Sequence, residues 1–78
     1  MTTRNKASEA AALPPREVRI AAGLSLIAAA VGAGAAEGTT RLYEANPLAV
    51  SPKPRARLDA FYSGLRERVL KSAEARTA

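Results

Sequence analysis

Glu37 and Arg41 stand four residues apart at the C-terminal edge of the longest uncharged run of the chain. At that spacing on a helix, a carboxylate and a guanidinium form a modest ion pair. The position predicts an interfacial pair rather than an acid–base catalyst. No other constellation promises chemistry. The chain has no His and no Cys, which removes an imidazole base, a thiol nucleophile and the common soft-metal sites. Gly32-Ala33-Gly34 lacks the remaining glycine of a G-x-G-x-x-G phosphate loop and has no strand before it. The expectation is therefore a non-enzymatic chain with no catalytic residue, cofactor, metal or small-molecule substrate.

The second candidate surface is basic. Lys53, Arg55 and Arg57 form a K-x-R-x-R cluster, followed by Arg66, Arg68, Lys71 and Arg76. Twelve Lys and Arg against seven Asp and Glu give a net charge of +5. Such a balance suits anionic lipid, nucleic acid or an acidic protein. Asp59, Glu67 and Glu74 interrupt the tail, and no basic–aromatic platform for stacking bases appears. This pattern favours a solvated or lipid-facing surface over nucleic acid.

The elements that would carry these residues fall into four stretches: a polar arm over 1–15, a long helix over 16–44, a Pro-rich linker over 45–54 and an amphipathic helix over 55–78. The second stretch decides the reading. From Ile20 to Ala36 there are 17 residues without a charge, bounded by Arg16, Glu17 and Arg19 before and by Glu37 and Arg41 after. That length lies at the lower edge of the roughly 17–25 residues that cross a bilayer. Ile20, Leu24, Ile27 and Val31 follow one helix face. Ala28, Gly32 and Ala36 fall on another, and Gly34-x-x-x-Gly38 continues a third row. Small residues at this spacing let helix backbones approach closely within lipid. Ala28, Gly32, Gly34, Ala36 and Gly38 are accordingly the expected helix-packing set.

A cleaved signal peptide ending at Ala33-Gly34-Ala35 fits poorly, because a 19-residue leader with two acids and Pro14-Pro15 precedes the run. In the last stretch, Leu58, Phe61, Tyr62, Leu65 and Val69 form one apolar stripe. Leu58, Phe61, Leu65 and Val69 are the expected partner-docking residues.

Gly34-Ala-Ala-Glu-Gly38-Thr-Thr-Arg41-Leu-Tyr43 resembles subunit e of mitochondrial ATP synthase over about ten of 78 residues. The resemblance implies a short membrane helix with its glycine face against a neighbouring subunit, followed by a charged helix. It also implies a non-catalytic structural role in an inner-membrane energy-transducing complex. The combined expectation is an all-α, single-pass membrane protein of the mitochondrial inner membrane. It would be an accessory subunit of the ATP synthase or respiratory chain, whose partners are other membrane subunits and lipids, anionic ones among them, with neither nucleic acid nor substrate. Two alternatives share these features: a small subunit of a photosynthetic complex, and a soluble basic helical module binding an acidic partner or nucleic acid.

Overall fold

The computed structural model describes residues 13–77. They form four α-helices and one turn of 3-10 helix: α1 (Pro15–Ala21), α2 (Leu26–Ala33), α3 (Glu37–Ala45), the 3-10 turn (Pro47–Ala49) and α4 (Pro52–Thr77). Residues 1–12 of the expected polar arm lie outside the described part.

Local signals account for each boundary. Pro14 is extended and Pro15 opens α1, where a missing N–H costs nothing. The helix then stops at Gly23, whose φ is +77°. The Gly23 N–H donates to the Ile20 carbonyl and the Leu24 N–H to the Arg19 carbonyl, a Schellman closure. Ser25 starts α2, its hydroxyl accepting from the Ala28 N–H at 3.1 Å. The same closure ends α2. Gly34 has φ +71°, its N–H donates to Val31, and the Ala35 N–H donates to Ala30. Glu37 occupies the first turn of α3, where a carboxylate suits the positive helix end. Asn46 ends that helix in an extended conformation, and its side chain accepts from the Leu48 N–H.

These stops overturn the expectation of one membrane-crossing helix over 16–44. The segment is three helices of 7, 8 and 9 residues, and none of the described helices is long and apolar enough to cross a membrane. The single-pass placement, in the mitochondrial inner membrane or any other, is corrected accordingly; the all-α character stands. The physical reason is that two glycines can enter the left-handed region at no steric cost. A bundle that buries Ala29, Ala30 and Thr40 then favours the bent arrangement.

The 26-residue α4 forms the spine against which α1, α2 and α3 all pack. Pro52 and Pro54 sit in its first turn, so the expected linker contracts to the residues around the 3-10 turn. Leu58, Tyr62 and Leu65 are buried along its inner face, and Leu58 and Tyr62 share one core cluster with Ala29, Tyr43 and Val50. Tyr43 and Tyr62 stack at a tilt of 44° with centroids 5.2 Å apart, and Phe61 meets Tyr62 edge-on.

Candidate functional site

The inner side of the bundle carries its densest polar arrangement. Arg19 of α1 reaches Glu44 of α3 through two hydrogen bonds, Nε to Oε2 at 2.6 Å and Nη2 to Oε1 at 3.1 Å. Their side chains are only 12 % and 6 % exposed. Arg19 Nη1 also donates to the Leu24 carbonyl at 3.0 Å, and the Tyr62 hydroxyl donates to Glu44 Oε2. Tyr43 donates to Asp59 Oδ1 at 2.6 Å. Burial, and then the carboxylate each one faces, raise the pKa of both tyrosines well above the usual phenol value. The network joins three helices and leaves no buried side-chain polar atom without a partner among the described residues. It ties α1, α3 and α4 together; Asp59 is its one exposed carboxylate, and no base faces it within the network.

An open cleft of about 210 Å³ lies between the end of α1 and α4, lined by Ala21, Ala22, Arg68, Val69 and Ser72. It brings no acid and base together. No cluster able to hold a metal ion occurs among the described residues.

The outer side is different in kind. Helix α2, the three-residue connection Gly34-Ala35-Ala36 and α3 make a helix–turn–helix unit. The inner residues of α3, Thr40 and Tyr43, are buried, and the Thr40 hydroxyl is satisfied by the Ala36 carbonyl at 2.9 Å. Glu37, Gly38, Arg41, Leu42 and Ala45 are exposed and follow one face of α3. Glu37 and Arg41 pair on that face at 3.0 Å, with side chains 46 % and 68 % exposed. Beside the turn, Arg57 of α4 donates to the Gly34 carbonyl at 3.4 Å. Exposed Arg57 is thus brought next to the helix–turn–helix connection, and exposed Lys53 and half-exposed Arg55 precede it within one turn of α4.

Comparison with protein-family models, with curated proteins and with solved structures finds no match. The site is therefore read from its own geometry.

The five small residues expected to pack against neighbouring helices are dispersed. Ala28 is exposed on α2, Gly34 forms the turn, Ala36 caps α3, and Gly38 opens onto empty space. Gly32 does sit at a close approach. A methyl group there would lie 2.5 and 2.7 Å from Cε1 and Cζ of Phe61, so the ring rests on the bare backbone. Leu58 and Leu65 are buried against the chain's own helices, and Phe61 and Val69 are half-buried.

In the sequence Tyr62 reads only as part of the apolar stripe, Asp59 only as an interruption of the basic tail and Arg19 only as a flank, and Glu44 carries no signal. Partners 16 to 25 residues apart leave no periodic trace. Gly23 followed by Ser25 was a legible stop and start.

Proposed function

We propose that this chain is a non-catalytic helix–turn–helix module that binds double-stranded DNA, with α3 entering the major groove. The observation that carries this reading is the bared outer face of α3. A helix whose inner residues are locked into a bundle, and whose outer residues stay solvent-facing just after a glycine turn, has the form of a groove-reading element. The charge supports it. Arg41 lies on the reading face, and Lys53, Arg55 and Arg57 flank the turn where they can meet phosphates.

This departs from the sequence-based weighting against nucleic acid. It rested on the acids that interrupt the basic tail and on the lack of stacking aromatics; such aromatics serve single strands, whereas a duplex is read by an exposed helix and basic flanks. The accessory-subunit reading leaned on a membrane-crossing helix and loses that support. A second reading keeps one observation in its favour. Ile27 and Val31, 59 % and 76 % exposed, form an unpartnered apolar stripe on α2 that suits docking on another protein.

Anisotropy titrations with labelled duplex, single-stranded DNA and duplex RNA decide between them. The expected result is preferential duplex-DNA binding with a Kd below about 100 µM at physiological salt, weakening steeply as salt rises. Equal binding to all three, or none, overturns the reading.

A further inference from the structure

We infer that Glu37 and Arg41 act together as a base-reading pair that selects a guanine and a nearby cytosine; this rests on the DNA reading above. The two are the only charged groups on the exposed face of α3, and they touch each other one helical turn apart. The remaining residues of that face, Gly38, Leu42 and Ala45, offer no side-chain hydrogen bond. Any polar readout by this face falls to the pair.

Their chemistry is complementary. A guanidinium donates two parallel hydrogen bonds to guanine O6 and N7, and a carboxylate accepts from the cytosine N4 amino group. The surface pair is weak, because both groups are solvated, so exchanging part of it for base edges loses little. The mutual bond directs the guanidinium toward the N-terminal turn of α3. Gly38 lies beside the pair on the same face, and outside its own helix backbone and chain neighbours nothing stands within 4 Å of where a Cβ would be, which leaves room for a base edge to approach the backbone.

Glu37 also has a cost on DNA. A carboxylate on the groove-facing side repels phosphates, so it lowers affinity wherever no cytosine repays it. The pair therefore predicts opposite effects on affinity and on selectivity.

The experiment is selection from a duplex library with randomised central base pairs, followed by titration of the selected and scrambled duplexes against the full chain. Wild type is expected to enrich a guanine and a cytosine within one or two base pairs. Arg41→Ala should reduce the preference for the guanine by roughly 5- to 150-fold, and Arg41→Lys should recover only part of it. Glu37→Gln should relax the cytosine position while tightening binding to scrambled duplex. Lys53→Ala should weaken all duplexes alike. Both Glu37 and Arg41 are surface groups, and unchanged thermal unfolding verifies that each variant is folded. Duplex binding with a preference that neither substitution alters overturns the pair and leaves the DNA reading intact. Absence of duplex binding by wild type overturns both.

Discussion

Arg19 and Glu44 show how few residues hold this bundle. Their bidentate contact is nearly enclosed, and Tyr62 adds a third hydrogen bond to the same carboxylate. Removing one member of such a pair strands the other without its partner. Arg19→Met is expected to lose about 3 kcal/mol in urea unfolding, near the low end for enclosed pairs. The double variant Arg19→Met, Glu44→Leu should recover part of that loss, because no uncompensated charge remains. A double variant less stable than the single one would show that packing, rather than charge, dominates there. The two glycines of Gly34-x-x-x-Gly38 should respond with opposite sign. Gly34 occupies the left-handed region, so Gly34→Ala costs about 1 kcal/mol. Gly38 is an open helical position, so Gly38→Ala gains up to about 1 kcal/mol. Chemical denaturation of the pair tests whether the motif is a turn followed by a helix or a continuous packing seam.

At the scale of elements, α4 bears most of the burial. Leu58 is fully enclosed between the short helices, and Leu58→Ala should cost about 2–5 kcal/mol. A domain this small holds only about 3–5 kcal/mol of stability, so circular dichroism should show the variant largely unfolded. The α4 stripe was legible in the sequence, since Leu58, Tyr62 and Leu65 recur with helical period. What the period left open was whose surface it meets, and the answer is the chain's own α2 and α3. The uncharged run misled for a physical reason. Its alanines and glycines satisfy the length rule for a bilayer and equally suit short helices that must approach closely. Gly23 with Ser25 and Gly34 with Glu37 hold the discriminating information, which a count of uncharged residues ignores. The face of α3 was half legible: Glu37 and Arg41 stood out, but which side of the helix would be covered depended on Tyr43 finding α4 and on Thr40 being enclosed.

At the scale of the whole molecule, both tyrosines lie in the core, and each gives its hydroxyl hydrogen to a carboxylate. Their folded-state pKa values are raised above those of the unfolded chain. The stability this confers is complete below the ordinary phenol range. Above about pH 10 the unfolded chain loses protons that the folded chain keeps, and stability falls as pH rises. Thermal unfolding midpoints should therefore be flat across neutral pH and decline in alkali, with tyrosinate absorbance appearing together with loss of helix. Tyrosinate absorbance at the ordinary phenol pH with the helix signal intact would contradict the enclosed placement.

The left-handed glycines at the ends of α1 and α2 have one more consequence. With Gly23, Ser25 and Gly34 all replaced by leucine, the short helices would lose their stops, and the uncharged stretch from Ile20 to Ala36 would favour a single straight, apolar rod. Export machinery samples nascent chains for rods of that kind. Three codons would then stand between a compact bundle and a polypeptide diverted into the bilayer.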